Sequence, residues 1–318
     1  MRHDTVPARF LSEAQVEHLL PDPLIAVALA RRALLARADG TAQVPPKPTI
    51  QLAGAGFANA MPAAILEEGL VGAKWVSIVP DNPGRGLATA QGLLFLVDAG
   101  TGALRCIMQA GALTALRTAA VTGACLDALA RRDETVCFLG TGEQARSHLA
   151  VLDALGFTDV LVWGRRPEAL DELSDWAAKT LSTLRPRMAT DREDAVAASS
   201  VLVTGLSIGL EGTRLDPDLV RPEALLLPLD YASCIGPDLA RTARLVSDDV
   251  EQFRALAPTK LSPDYPLPSD FTGTALSQPR GTGRLLCQNL GNGSSDLVIA
   301  GHVASAAEAA GVGTLLPS

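Results

Sequence analysis

The chain is short of the residues that staple, ligate or bind polyanions. Of its 318 residues only five are cysteine and four are histidine. Cys106, Cys125, Cys137, Cys234 and Cys287 are widely spread, odd in number and without a CxxC pair, which argues against a disulfide framework and a zinc site. Four of them lie in apolar runs and read as small buried hydrophobes, whereas Cys234, beside Ser233, is less clear. His3, His18, His148 and His302 are equally scattered, so no metal is expected. Basic residues number 27 against 35 acidic, a net charge of -8, with no local basic run. Nucleic acid is therefore not expected as a partner. No stretch reads as long enough to span a bilayer, and Arg2, His3 and Asp4 lead into no signal-type apolar core. A soluble, cytoplasmic protein without a membrane partner is expected.

What is present is a globular composition. Hydrophobic residues make up 47% of the chain, enough to exclude disorder, and 318 residues can fill two cores. Pro21-Asp22-Pro23 predicts a helix to about Ala38, with Leu24, Val27, Ala28 and Leu34 or Leu35 on its apolar side. Strands are then expected at 49–53, 71–79, 92–97 and 104–109, separated by turns such as Pro80 to Gly84 and Ala99 to Gly102. From a long alanine-rich helix, Gly111 to Arg131, onward, strand and helix alternate. The strands are placed at 135–139, 159–163, 200–204, 224–229 and 243–247, a pattern that implies a parallel sheet with helices on both faces. Residues 256–283, rich in proline, serine and threonine, read as an ordered loop or a lid. The last helix, Ser294 to Ala310, is apolar on most of its surface and should be buried.

The most informative stretch is Val136-Cys-Phe-Leu-Gly140-Thr-Gly142-Glu143-Gln144-Ala145. A short buried strand breaks into glycines and resumes as a helix, which is how a dinucleotide pyrophosphate meets a helix N-terminus. Gly140 allows the tight turn, Gly142 lets the backbone approach phosphate oxygens, and Ala145 lets helix and strand pack closely. With the strand Asp159 to Trp163 this completes a βαβ unit.

Three cations need explaining. Period two puts Lys74 on one strand face with Gly72 and Val76, where a lysine is costly unless paired. Arg117 shares a helix face with Thr114 and Thr118. Lys47 lies in the stiff segment Val44-Pro-Pro-Lys-Pro48, where a surface charge is the plainer reading. For Lys74 and Arg117 a bound carboxylate is at least as good an account.

Taken together these segments resemble the ornithine cyclodeaminase/mu-crystallin family over nearly the whole chain. The marks are Met61-Pro62, Gly72-Ala-Lys74, the turn holding Pro80, Asn82 and Gly86, Asp98 with Thr101-Gly102, Leu113 to Ala120, and the Gly140 to Ala145 motif. Further on come Asp230, Asp248-Asp249 with Gln252, Gly291 to Asp296, and Gly311 to Thr314. The resemblance implies an α/β fold: a Rossmann-type doubly wound parallel sheet over 113–293, plus a smaller, mainly antiparallel α+β substrate and dimerisation domain from 1–112 with 294–318. It implies a homodimer and an NAD(P)H-dependent oxidoreductase acting on the C–N bond of a small imino or amino acid. It further implies that Lys74 and Arg117 hold the substrate carboxylate, with Lys47, Asn59 and Met61 beside the substrate. Asp230 would be the acid/base group, with Lys74 also catalytic. The cofactor would meet Thr89, Arg117, Thr118, Gly140, Gly142, Glu143, Gln144, Ala145, Gly164, Arg165, Arg166, Thr204, Gly205, Asp230 and Gly291.

Two departures bear on the substrate. Asn59 stands where ornithine-using members carry a glutamate, and Gln109 replaces an aspartate before the alanine-rich helix. Both remove negative charge expected near the site, so a small neutral or acidic substrate is favoured over ornithine or lysine. Alternatives are a cyclodeaminase that recycles its own cofactor and a non-catalytic NADPH-binding protein. No acidic residue follows the second strand of the βαβ unit; Gly164-Arg165-Arg166 stands there, which favours NADP over NAD. Asp230 could also cap a helix from Tyr231 to Leu239.

Overall fold

The computed structural model describes residues 7–317; Arg2, His3 and Asp4 lie outside them. The chain divides into two compact units, one ending at Arg117 and resuming at Asn292, the other spanning Thr118–Gly291. The divide falls inside the helix Gly111–Leu129, as does the boundary expected after residue 112.

The first unit is built on one mixed sheet. Its strands run in the order Thr314–Leu315, Arg9–Leu11, Leu104–Gln109, Ala90–Val97, Leu70–Ile78, Phe57–Ile65 and Ala42–Gln43, with Thr49–Gln51 also on Phe57–Ile65. All pairings are antiparallel except that of Arg9–Leu11 with Leu104–Gln109. The strand Phe57–Ile65 escapes a reading by pattern because alanines blur its alternation and Pro62 argues against an interior strand. The structure shows how Pro62 is tolerated. Ala60 N bonds outward to Pro48 O, and residues two apart point the same way, so the missing N–H of Pro62 faces the gap between the two short edge strands.

The helices Pro23–Ala38 and Gly293–Ala310 pack on each other, and the second lies on the sheet. Asp22 caps the first by accepting from Leu24 N. Its buried side is Ala26, Val27, Ala30, Ala33, Leu34 and Ala36, while Leu24 and Ala28, expected inward, are exposed. The terminal helix lies close against the strands: a Cβ on Gly293 would come within 2.8 Å of Met61 O, and one on Gly72 within 3.2 Å of the Leu297 side chain. Small residues here set the distance at which the helix can deliver a side chain to the sheet.

The second unit is a parallel sheet in the order Arg187–Met188, Val160–Trp163, Val136–Leu139, Val201–Thr204, Leu225–Pro228, Arg284–Cys287, Ala243–Ser247 and Asp270–Phe271. The strands after Val136–Leu139 leave on opposite sides of it, so the strand order reverses beside that strand, the place where such sheets bind ligands. Residues 256–283 hold regular elements rather than a bare loop. They finish the helix Val250–Lys260, add the edge strand Asp270–Phe271 and end with Arg280 donating to both carboxylate oxygens of Glu134 at 2.6 and 3.2 Å. The helix Gly111–Leu129 is long and apolar enough to cross a membrane by length and composition, contrary to the expectation that no stretch is. Most of it is buried within the protein, so its apolar character is that of a core helix.

Candidate active site

In the first unit Lys74 is fully buried on the strand Leu70–Ile78, level with Met61 on one neighbour and Leu94 on the other. Its Nζ donates to Asp296 Oδ1 at 2.6 Å and lies 3.4 Å from Thr114 Oγ1. Arg117 Nε lies 2.9 Å from the same Asp296 oxygen. One carboxylate oxygen thus faces two cations, while Asp296 Oδ2 and Arg117 Nε–H are buried without a hydrogen-bond partner. Burial, and next the charge of Arg117, lower the Lys74 pKa from 10.5 to about 7, with Asp296 holding it up and Lys47 adding to the fall. Lys47 is itself buried at 5% exposure, which corrects its reading as a surface charge.

Asn59 faces the same side of the sheet and is buried. Its Oδ1 accepts from Thr49 Oγ1 at 2.8 Å, so it presents a neutral, engaged amide. Gln109 belongs to a different arrangement. Its amide oxygen accepts from Glu13 N at 2.7 Å, while the Glu13 carboxylate accepts from Gly111 N and Ala112 N. The two side chains cap each other's helices, and Gln109 is structural rather than part of a ligand site. Thr89 is exposed, its carbonyl accepting from Val79 N.

In the second unit the glycine turn makes a cavity of about 200 Å³ lined by Gly140, Thr141, Gly142, Gly164, Arg165, Arg166, Gly205, Leu206 and Ser207. Gly140 has φ +137°, and a Cβ there would stand 2.7 Å from Gly205 O. A Cβ on Gly142 would meet nothing within 4 Å, because the turn opens there onto space. Gly142 starts the helix Glu143–Ala154 without a side-chain cap, Ala145 is buried, and Gln144 Oε1 is a buried acceptor without a partner. An uncapped helix N-terminus above open space, two guanidiniums at the rim and an unused amide fit a phosphate-bearing dinucleotide. Thr118 is half-buried on the Gly111–Leu129 helix.

Asp230 follows the strand Leu225–Pro228 and is 1% exposed. Its Oδ1 accepts from Thr204 Oγ1 at 2.8 Å and its Oδ2 from Leu206 N at 3.3 Å. Burial raises its pKa above the ordinary carboxylate value, opposed by hydrogen bonds from Cys234, Thr204 and Leu206. It caps no helix, since the next one, Pro237–Arg241, starts at Gly236. Tyr231, directly after it, is held at φ +54°. Cys234 is buried with the other four cysteines, and burial pushes its thiol pKa up.

Several of the residues that mark the resemblance hold elements of the second unit together. Asp248 accepts from Leu290 N, Asp249 caps the helix Val250–Lys260 through Gln252 N, and Gln252 donates to Gly291 O. Gly291 itself is held at φ +80°. The residue that sequence reasoning left without a role is Asp296. Its signal was available: an acid inside the apolar run of a helix expected to be buried must have a partner.

The sequence model described as the ornithine cyclodeaminase/mu-crystallin family matches residues 9–265. Nodulation efficiency protein NfeD of Rhizobium meliloti is 26% identical over 323 residues, covering 98% of each chain. Delta(1)-pyrroline-2-carboxylate reductase 1 of Burkholderia multivorans is 29% identical over 240 residues, 74% of this chain and 75% of the relative. Among solved structures, an archaeal alanine dehydrogenase dimer with bound NAD superposes at a TM-score of 0.85 with 24% identity, over 98% of this chain and 99% of that one.

Proposed function

We propose, for a chain that belongs to the ornithine cyclodeaminase/mu-crystallin family, an NAD(P)H-dependent oxidoreductase acting on the C–N bond of a small imino or amino acid. The observation that carries the reading is the pair of cations, Lys74 and Arg117, converging on one buried oxygen in a chain that also holds an uncapped glycine cradle. Buried cations of this kind suit a ligand carboxylate. Related proteins named as a pyrroline-carboxylate reductase and an alanine dehydrogenase with bound NAD support the class.

A nicotinamide dinucleotide, when bound, supplies or accepts hydride. The chain's own residues do the rest. Gly140, Gly142 and the first turn of Glu143–Ala154 would hold the pyrophosphate, and Arg165 and Arg166 a ribose 2′-phosphate, which favours NADP. Lys74 and Arg117 fix the carboxylate, and Lys47 adds positive charge. Asp230 is suited to hold and give a proton at the substrate nitrogen, because burial keeps its carboxyl protonated to higher pH than a free aspartate. Asn59, neutral and tied to Thr49, offers no charge to a distal ammonium, which disfavours diamino acids.

The test is a panel of 2-oxo acids with ammonia or methylamine, run with NADPH and with NADH and followed at the nicotinamide absorbance. Turnover of a small neutral or acidic 2-oxo acid is expected, with NADPH preferred. Replacing Arg165 and Arg166 together by serine should cut the NADPH preference by about tenfold or more, as the loss of charge-assisted hydrogen bonds predicts. Conversion of ornithine to proline without net change in absorbance would instead support a cyclodeaminase.

A further inference from the structure

The Asp296 carboxylate has no place in the reaction outlined above, yet it is a fully buried charge, at 0% exposure. It lies in the first turn of the helix Gly293–Ala310, followed by Leu297, Val298 and Ile299, all buried. The helix dipole favours an acid there, but a buried carboxylate is tolerable only with cationic partners. Those partners come from elements far apart in sequence: Lys74 from the sheet and Arg117 from the helix Gly111–Leu129. Without a negative charge between them the two cations would repel each other and lose their common aim. Gly293 makes the arrangement possible, since a Cβ there would meet Met61 O at 2.8 Å, push the helix off the strands and carry Asp296 away from Lys74.

We propose that Asp296 is the positioning residue of the carboxylate site: it holds Lys74 and Arg117 toward one small carboxylate and supplies the charge that lets Lys74 keep its proton when that ligand arrives. The inference rests on the reading of Lys74 and Arg117 as carboxylate holders. The charged groups facing Lys74 are Arg117, Asp296 and Lys47, with the Thr114 hydroxyl beside it. Of these charges only Asp296 favours the ammonium form; burial, Arg117 and Lys47 oppose it. A ligand carboxylate adds a second anion, so binding above neutral pH draws a proton onto Lys74.

The experiment uses the full chain saturated with NADH in ammonia-free buffer, with pyruvate as the carboxylate probe and its dissociation constant measured from pH 6 to 9. In the wild type the affinity should be flat below pH 7 and fall by up to tenfold per unit above it, following the Lys74 pKa of about 7. Asp296→Asn should start that fall at least one unit lower, weakening pyruvate about fivefold or more at pH 7, with NADH affinity kept within about twofold. Asp296→Glu should return the midpoint toward the wild type. An Asp296→Asn profile with the wild-type midpoint, whatever its overall affinity, makes Asp296 merely structural and overturns the proposal. Should that variant fail to fold, wild-type calorimetry in buffers of differing ionisation enthalpy decides. Proton uptake per pyruvate should be near zero at pH 6 and approach one at pH 8.5, and no uptake at pH 8.5 overturns it. If Lys74→Met leaves pyruvate binding unchanged, the carboxylate-site reading itself has failed, an outcome distinct from the others.

Discussion

His148 and Asp230 are both buried titratable side chains, and their surroundings give them opposite uses. His148 Nδ1 faces Gln144 O at 2.7 Å, an atom that can only accept, so Nδ1 carries the proton and Nε2 accepts from Thr122 Oγ1 at 3.0 Å. Burial lowers its pKa from 6.5 to about 4. The unfolded chain therefore binds a proton that the folded protein refuses in this window, and stability is lost as pH falls from 6.5 toward 4. At pH 5 the loss is about 2 kcal/mol. Denaturant melts at pH 7.5 and pH 5 should show it, and His148→Gln should remove most of the difference even if it is less stable at both. Asp230 sits instead at the C-terminal end of a strand, in reach of Thr204 and Leu206. Asp230→Asn keeps shape and most hydrogen bonds but cannot exchange a proton. Turnover should drop by on the order of 10²–10⁴-fold while NADPH affinity, read by fluorescence titration, changes little. An unaffected rate removes Asp230 from the reaction.

At the scale of elements, the glycine turn separates two demands that its pattern runs together. Gly140 is needed by the protein: φ is +137° and the space for a Cβ is taken by the Gly205 carbonyl. Gly142 has open space where a Cβ would go, so its freedom serves a ligand. Gly140→Ala should therefore lower the melting temperature, by an amount on the order of 2 kcal/mol in stability. Gly142→Ala should leave the melt nearly unchanged and weaken dinucleotide binding. Equal melts for the two variants would contradict this division. Elements with a strong local signal were legible from the sequence: the buried apolar runs of the parallel sheet, the helix capped by Asp22 before Pro23 and the terminal apolar helix. Elements whose reason is non-local were not. Phe57–Ile65 is a strand because neighbours pair with it on both sides, and Arg284–Cys287 because a slot between two other strands accepts it. The site divides the same way. Lys74 and Arg117 stand out as cations in apolar settings, whereas the meeting of both with Asp296 depends on helix-to-sheet packing that no spacing records. Gln109 misled for the same reason, since its partner Glu13 is distant in sequence and close in space.

For the whole molecule, the sheet of the first unit has an uncovered side. Residues directly opposite in an antiparallel pair share a face, so Trp75, Leu93, Phe95 and Leu104 lie together on the side away from Lys74. Their exposures are 42%, 49%, 43% and 37%, and Ile50, on the same side at the sheet edge, is 52% exposed. The opposite face, with Leu94, Leu96 and Met108, is buried beneath helices. A contiguous apolar face of this sort is uncommon on a monomer, and none of these five exposed side chains carries a charge to deter self-association. A second copy of this chain, seated sheet to sheet, would cover it with like surface, in keeping with the dimer expected from the family. Light scattering at micromolar concentration should give twice the chain mass for the wild type. Trp75→Glu with Phe95→Glu puts two carboxylates on each half of a two-fold contact, four in all, and should return the single-chain mass with an unchanged far-ultraviolet spectrum. Because these side chains point away from Lys74, NADPH affinity should survive in the variant. A wild type that runs as a single chain at those concentrations would leave this face to some other partner and sink the dimer.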